Sequence, residues 1–242
     1  MPNKFYQPGD QRAAKVCDLF SSIAPRYDLI NDLQSFGLHR LWKRRLLRLA
    51  NATPQDRVLD VCCGTGDVAL EFARKNIPVV GLDFSESMIE LAQRRARQRQ
   101  AARTKTPDIT FVKGDALALP FQDDQFTVVT ISYGLRNLAD LEGGLREMRR
   151  VAKKGGRLLI LDFGKPRHPL WRAVYFKYLR YWVPLFGRLL CGDAATYGYI
   201  LESLRQYPAQ EGTAAVLDKI GCRQVRVLNL LGGAMSITIA EK

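Results

Sequence analysis

The chain has 242 residues, 47% hydrophobic and 25% charged, which favours one α/β domain over residues 1–242 rather than two complete domains. Its 37 basic and 24 acidic residues give a net charge of +13, which favours an anionic partner such as a membrane surface or a nucleic acid. The sequence has no apolar run of about 18 residues and no apolar leader, so we expect a cytoplasmic protein without a membrane-spanning helix.

The predicted elements begin with helices over residues 12–50, interrupted at Pro25 and Gly37. From residue 57 onward, short apolar strands alternate with helices, which indicates a parallel sheet covered by helices on both faces. The predicted strands are 57–63, 78–84, 108–115, 125–134, 156–164, 222–230 and 234–242. The later helices are 66–75, 85–103, 140–153 and 208–220, with an aromatic-rich helical insert over 167–206. We expect the last two strands to form an antiparallel edge, which gives a mostly parallel, Rossmann-like sheet of seven strands.

The cysteines are few and scattered, at positions 17, 62, 63, 191 and 222. An odd number of scattered cysteines argues against a disulfide framework. The cysteines also lack C-x-x-C spacing, and His39 and His168 are the only histidines, so the usual ligand pattern of a metal site is missing. We therefore expect no metal, and we interpret Cys62 and Cys63 as small residues packed at a strand end.

Much of the positive charge lies in two predicted helical stretches, residues 39–48 and 94–105. A solvated helix face is the simpler interpretation of each stretch. Attraction to an anionic surface is the functional alternative.

The first strand is followed by a glycine turn, Gly64 to Ala69, that fits the dinucleotide pattern G-x-G-x-x-A. A pyrophosphate would lie at the N-terminus of the next helix, where Asp67 already places a carboxylate. Asp60 adds a second acid nearby. These charges favour a cationic ligand such as S-adenosylmethionine over NAD.

The other strand ends carry polar or small residues. Asp83 can accept hydrogen bonds from a ribose diol, Asp115 from an adenine amino group with the Ala116 backbone beside the ring, and Ser132 follows the fourth strand. Each acid alone could be a helix cap, but ligands of such sheets bind where the carboxyl ends of the strands meet. Together these residues predict one pocket.

Several stretches resemble the class I S-adenosylmethionine methyltransferases: VLDVCCGTGD (58–67), GLDFSESM (81–88) and the run from Gly114 to Leu141. More narrowly, the chain resembles the ubiquinone/menaquinone biosynthesis C-methyltransferase family, the UbiE type. The narrow match rests on SYGLRN (132–137), on RVAKKGGRLLILDFG (150–164), and on an N-terminal signature at Tyr27, Asp28, Asn31, Ser35, His39 and Trp42. The departures from the family pattern are Ile30, Cys62, Lys154, Asp162 and Gly164.

The resemblance implies S-adenosylmethionine as the cosubstrate and methylation of a ring carbon of a polyprenylated quinol. Demethylmenaquinol is the favoured substrate, with the ubiquinol precursor as the alternative. The expected layout is an N-terminal helical cap (1–52), a cofactor-binding core (53–166), a helical lid (167–206), and a last helix with two strands (207–242). The cofactor-binding residues expected from the motifs and the resemblance together are Asp60, Gly64, Thr65, Gly66, Asp83, Asp115, Ala116 and Ser132.

Arg136 and Asn137 are the predicted catalytic residues, because they follow the fourth strand beside the expected position of the methyl group. A guanidinium could stabilise a developing phenolate, and the amide could orient a water or the hydroxyl. The alternative for Arg136 is a surface arginine paired with Asp140. His39 could serve as the base, although a helix-packing role is favoured for it.

Residues 168–190 combine a helical stripe of aromatic residues with arginines, which is typical of an interfacial helix. We predict that this segment forms an apolar lid and touches an anionic bilayer; a core-packing helix is the alternative. No RNA-binding module is visible, so no nucleic-acid partner is expected. The rival functions are a methyltransferase acting on RNA or a small molecule, a non-catalytic cofactor-binding protein, and an NAD(P)-dependent oxidoreductase. The oligomeric state stays open, and a homodimer is one candidate.

Overall fold

The computed structural model describes residues 12–23, 27–101, 108–191 and 195–242. Pro25, part of the basic stretch 94–105, and the side chains of Tyr27, Asp28, Cys17 and Cys191 lie outside the described part.

A seven-stranded sheet organises the chain, in the order β3-β2-β1-β4-β5-β7-β6. Its strands are β1 (Val58–Val61), β2 (Val79–Asp83), β3 (Ile109–Lys113), β4 (Phe126–Ser132), β5 (Ala152–Phe163), β6 (Arg223–Leu230) and β7 (Met235–Glu241). The first five strands pair in parallel, whereas β7 pairs antiparallel with both β5 and β6. The strand order reverses between β1 and β4, where such sheets bind ligands.

The helices accompany the sheet along the chain. They are α1 (Arg12–Ile23), α2 (Tyr27–Ser35), α3 (Leu38–Ala50), α4 (Asp67–Arg74), α5 (Glu86–Ala101), α6 (Leu141–Val151), α7 (Pro169–Lys177), α8 (Val183–Cys191), α9 (Ala195–Gln206) and α10 (Ala209–Lys219). A π-helical turn, Tyr178–Trp182, joins α7 to α8, and a 3₁₀ turn, Leu135–Asn137, follows β4.

The core lies on both faces of the sheet, as the continuous apolar strands predict. All four residues of β1 are buried, and β4 alternates between two clusters, with Val129 and Ile131 in one and Val128 in the other. Helices α4 and α5 belong with the second cluster through residues such as Phe72 and Ile89. The fold predicted from the alternation of strands and helices is therefore confirmed.

Candidate active site

The loop between β1 and α4 contains three left-handed residues, Cys62 (φ 53°), Gly64 (φ 55°) and Gly66 (φ 82°). Glycine adopts this conformation without a steric cost, whereas a residue with a Cβ loses roughly 1–2 kcal/mol. At Gly66 space is also limiting, because a Cβ would come 2.9 Å from the Phe111 ring. Cys62 therefore occupies a position that backbone geometry favours for glycine.

Asp83 holds this loop from the end of β2. One carboxylate oxygen accepts the Gly64 N–H at 2.8 Å, and the other accepts the Ser85 N–H at 2.9 Å. Burial raises the pKa of Asp83, although the two N–H donors oppose that shift. Because each carboxylate oxygen has two acceptor sites, Asp83 can still accept from a ligand.

One cavity opens where the strand ends meet. Among its lining residues are Gly64, Asp83, Asp115, Ala116 and Ser132, five of the eight predicted cofactor contacts, and we refer to it as the cofactor cavity. Val16 and Phe20 of α1 close one side of it.

Two polar atoms in the wall of the cofactor cavity are buried without a hydrogen-bond partner in the described part of the chain. They are Ser132 Oγ and Asn137 Oδ1. Buried polar groups are normally paired, so both atoms indicate a wall built for a polar ligand. An amide oxygen and nearby carboxylates suit a ligand with an ammonium and hydroxyl groups, so the residues present fit S-adenosylmethionine.

The other three predicted contacts, Asp60, Thr65 and Gly66, are buried and do not line this cavity. Asp60 accepts from the Thr130 hydroxyl at 2.7 Å, and burial raises its pKa to about 7. Its charge at neutral pH is therefore partial, which weakens the electrostatic argument made from the sequence.

Asp67, the other acid expected to repel a pyrophosphate, is neutralised by nearby cations. Its carboxylate contacts Lys43 at 3.0 Å and Arg95 at 3.3 Å, and it faces a basic groove between α3, α4 and α5. Burial alone would raise the pKa of Asp67, but these cations lower it overall. Since Asp67 is charged but neutralised, it provides little discrimination against a pyrophosphate.

Cys62 lines the cofactor cavity, whereas Cys63 packs against the second core cluster. Burial raises the pKa of both thiols well above the ordinary value, so both are neutral at physiological pH. A thiolate is the reactive and metal-binding form. In the described residues, no three His, Cys, Asp or Glu side chains are grouped as a metal site requires.

A second cavity of about 270 Å³ lies next to the first, and we refer to it as the apolar cavity. Its wall is mainly aromatic and aliphatic and includes Phe36, Trp42, Tyr133, Phe163, Trp171 and Tyr175. Tyr133 lines both cavities and contacts Phe163 edge-on, with ring centroids 5.9 Å apart. It is also left-handed (φ 62°), a conformation that is uncommon outside glycine and often occurs at functional sites.

Arg136 lines the apolar cavity and is 3% exposed. Its Nη1 donates to Asp162 Oδ1 at 3.0 Å and to the Tyr133 carbonyl, and its Nη2 donates to the Tyr199 hydroxyl at 3.0 Å. The guanidinium also lies 4.5 Å from the centroid of the Phe163 ring. The alternative of a surface arginine paired with Asp140 is therefore wrong, because Asp140 instead caps α6.

Asn137 lines the cofactor cavity and not the apolar cavity, so the two predicted catalytic residues face different spaces. Sequence reasoning missed Asp162 and Tyr199, which hold Arg136. The available signal for Asp162 was its position at the end of a strand, and for Tyr199 there was none.

The aromatic stripe predicted over 168–190 has both buried and exposed residues in the structure. Tyr175 and Leu179 are buried, whereas Val174 and Trp182 are 55% and 58% exposed. The Trp171 Nε1–H donates to the Leu231 carbonyl at 3.0 Å, and Tyr175 donates to the Ala234 carbonyl at 3.1 Å. These contacts make α7 one wall of the apolar cavity, with a second side exposed.

Solved structures with the same fold include S-adenosylmethionine-dependent methyltransferases. One from Aquifex aeolicus superposes with a TM-score of 0.60 at 18% identity, covering 82% of this chain and 88% of that one. A putative one from Methanococcus maripaludis gives 0.62 at 20% identity, with 90% and 91% covered. At these identities the likeness supports the fold alone.

Sequence relatives are much closer. Proteins named ubiquinone/menaquinone biosynthesis C-methyltransferase UbiE include one from Ectopseudomonas mendocina, 43% identical over 233 residues (95% of this chain, 90% of the relative). Another, from Shewanella frigidimarina, is 38% identical over 231 residues (94% and 90%). The model of the ubiE/COQ5 methyltransferase family matches residues 9–242. The predicted family and the S-adenosylmethionine cofactor are thus confirmed, and the chain belongs to the ubiE/COQ5 methyltransferase family.

Proposed function

We propose that the protein methylates a ring carbon of a polyprenylated quinol, with demethylmenaquinol as the favoured substrate and the ubiquinol precursor as the alternative. The observation that supports this most strongly is the pair of cavities separated by Tyr133. One cavity has a polar wall that fits the cofactor, and the other has a wall that fits an apolar aromatic ring. The names of the relatives favour a quinone substrate.

Bound S-adenosylmethionine supplies an electrophilic methyl group on its sulfonium. In our proposal Asp83 accepts from its ribose hydroxyls, Asp115 from its adenine amino group, and Asn137 Oδ1 from its ammonium. Helix α1 covers this site and is tied to the loop after β4, since Arg12 Nη2 donates to the Arg136 carbonyl at 2.8 Å.

The ring carbon becomes nucleophilic when the neighbouring hydroxyl loses its proton. A quinone has no such hydroxyl, so the reduced form is the substrate. Arg136 keeps a guanidinium at the edge of the apolar cavity, where it stabilises the developing phenolate. Asp162 compensates that charge before substrate binds, and so allows it to remain buried.

The assay offers S-adenosylmethionine with four acceptors, the reduced and oxidised forms of a demethylated naphthoquinone and of the benzoquinone precursor. The expected product is one reduced acceptor made heavier by a single methylene, detected by mass spectrometry, with S-adenosylhomocysteine formed in equal amount. Methylation of neither quinol, with S-adenosylmethionine bound in calorimetry, would contradict the proposal and favour another acceptor.

The access route to a prenylated quinol is part of the proposal, because such a substrate is dissolved in a membrane. No described helix has the length and apolar character needed to cross a bilayer. Phe36, Val174 and Leu231 line the apolar cavity and are nevertheless 77%, 55% and 51% exposed. We propose that this rim touches the bilayer surface and admits the prenyl chain.

The basic groove supports the same proposal. The two basic stretches of the sequence converge there, on α3 and α5, with α4 between them. Its basic side chains are Arg40, Lys43, Arg44, Arg48, Arg74, Lys75, Arg95 and Arg99, against the two acids Asp67 and Glu71. Such a groove attracts anionic headgroups at low salt.

Flotation with vesicles of anionic or neutral lipid tests this contact. Replacing both Arg44 and Arg48 with Ser should weaken binding to anionic vesicles, and salt should weaken it further. The same charge change at the exposed Arg223 and Arg226 of β6 is the matched control and should have less effect. Phe36→Ser should raise KM more for a long-chain quinol than for a short-chain one. Equal losses of vesicle binding for the two arginine double variants would contradict the proposed orientation of the protein on the membrane. Equal increases in KM for the long-chain and short-chain quinols would contradict it as well.

A further inference from the structure

The apolar cavity is lined by a histidine that has no role in the proposed mechanism, His39. The imidazole belongs to α3, is 5% exposed and lines the cavity together with Tyr133 and Arg136. The carbon chemistry proposed above requires a proton acceptor at the ring hydroxyl. Arg136 is a poor acceptor because a guanidinium stays protonated in proteins.

The hydrogen bonds around Ser35 assign the tautomer of His39. Ser35 Oγ lies 2.6 Å from the Asn31 carbonyl, which can only accept, so the single hydroxyl proton is used there. Ser35 Oγ must therefore accept from its other neighbours, the His39 N–H at 3.2 Å and the ring Nδ1 at 2.9 Å. A neutral imidazole with a hydrogen on Nδ1 has its lone pair on Nε2.

The charges around His39 favour the neutral ring. Burial, and after it the Lys43 ammonium, lower the pKa of His39. The charged groups that act on it are Asp32 of α2, Arg40 and Lys43 of α3, and Asp67 of α4, and Arg136 lines the same cavity. Asp32 lies 3.6 Å from Nδ1 but is paired with Arg40, and Asp67 is paired with Lys43, so neither carboxylate acts on the ring alone.

We propose that His39 is the general base of the reaction, with Ser35 as the positioning residue that keeps Nε2 free of hydrogen. This inference rests on the proposed function. His39 Nε2 takes the hydroxyl proton, and the electron pair of the phenolate forms the new bond between the ring carbon and the methyl carbon as the bond from methyl to sulfur breaks. The ring then loses the proton of the methylated carbon, and the oxygen regains one from His39. One proton is released to solvent per turnover.

The test compares His39→Asn and His39→Ala with the wild-type protein. Asn can keep the hydrogen bond from its amide to Ser35 but has no basic nitrogen, so it separates the base from the packing role. Turnover of His39→Asn should fall by roughly 10²–10⁴-fold, the usual contribution of general base catalysis, with S-adenosylmethionine affinity unchanged in calorimetry. His168→Asn, at an exposed helix cap, is the matched control and should retain wild-type turnover.

Three further measurements should change in a defined way only if His39 acts as a base. Added imidazole should restore turnover of His39→Ala in proportion to its unprotonated form. A quinol with a more acidic, halogenated ring should lose less activity in the variants, because its hydroxyl ionises without help. The wild-type profile of kcat against pH should fall on the acid side with an apparent pKa below the ordinary histidine value.

If the wild-type protein methylates the quinol, near-normal turnover of a folded His39→Asn variant would overturn the assignment of His39 as the base. Equal losses of turnover on acidic and ordinary quinols, together with no rescue by imidazole, would also overturn it. Either result would leave the proposed function standing. Absence of methylation by the wild-type protein would instead overturn the proposed function. The two failures are therefore distinguishable.

Discussion

Replacing Asp162 with Ala should destabilise the protein strongly, because it leaves the Arg136 guanidinium buried without its counter-charge. The two side chains are 1% and 2% exposed, and their charged atoms lie 3.0 Å apart. Breaking such a pair from one side typically costs about 3–5 kcal/mol. Arg136 would keep the Tyr199 hydroxyl and the Tyr133 carbonyl, but neither carries a charge.

The assay is thermal and urea unfolding followed by circular dichroism. In a chain of this size each kcal/mol corresponds to roughly 2–4 °C, so Tm should fall by roughly 6–20 °C. Glu211→Ala, which breaks the exposed pair with Arg167, is the control and should leave Tm nearly unchanged. The double variant Asp162→Leu with Arg136→Met should be less destabilised than Asp162→Ala, because it buries no lone charge. A decrease in Tm no larger than that of Glu211→Ala would refute this explanation of the pair. A decrease in the double variant equal to the sum of the decreases caused by its two single substitutions would also refute it.

Three other outcomes are expected. The pKa of Asp60 is raised to about 7, so the native state binds its proton more tightly than the unfolded chain does, and stability should fall as pH rises from about 4 to 7. Asp60→Asn should remove roughly 2–3 kcal/mol of the difference in the free energy of unfolding between about pH 5 and pH 8, measured by urea unfolding, and an unchanged difference would contradict the shift. Asp83→Ala should weaken S-adenosylmethionine binding about tenfold or more, measured by calorimetry, and unaltered affinity in a folded variant would exclude Asp83 from the site. Cys62→Ala and Cys63→Ala should each keep quinol turnover within a few-fold, whereas complete inactivation without unfolding would give the thiols a chemical role.

Much of the fold and part of the site could be predicted from the sequence, because the spacing of apolar residues and the order of strands and helices are visible without tertiary information. Apolar strands alternating with helices determine a parallel sheet, and a parallel sheet brings its strand ends to one edge. Gly64, Asp83 and Asp115 therefore lie at one cavity, although they are far apart in the chain.

The environment of each charge could not be predicted in the same way. Asp67 looks like an isolated acid in the sequence, but α3 and α5 bring Lys43 and Arg95 to it. Arg136 looks like a loop residue beside Asp140, but the pairing of β4 with β5 brings Asp162 to it instead. The pairing partner of a charged side chain depends on neighbours that only the packed fold creates, and so does its pKa.

The turn after β4 places adjacent residues in the walls of two different cavities. Leu135–Asn137 is a 3₁₀ turn, in which successive side chains diverge by about 120°. Arg136 consequently faces the apolar cavity while Asn137 faces the cofactor cavity, and Tyr133 forms a wall of both. The Arg136 N–H donates to Asp162 Oδ2 at 3.1 Å, so the carboxylate that neutralises the guanidinium also holds the backbone of the turn. Because one carboxylate holds both the charge and the turn, we expect a change at Asp162 to alter the geometry of both cavities together. In the proposed reaction, the position of the methyl donor relative to the acceptor would therefore depend on a residue that lines neither cavity.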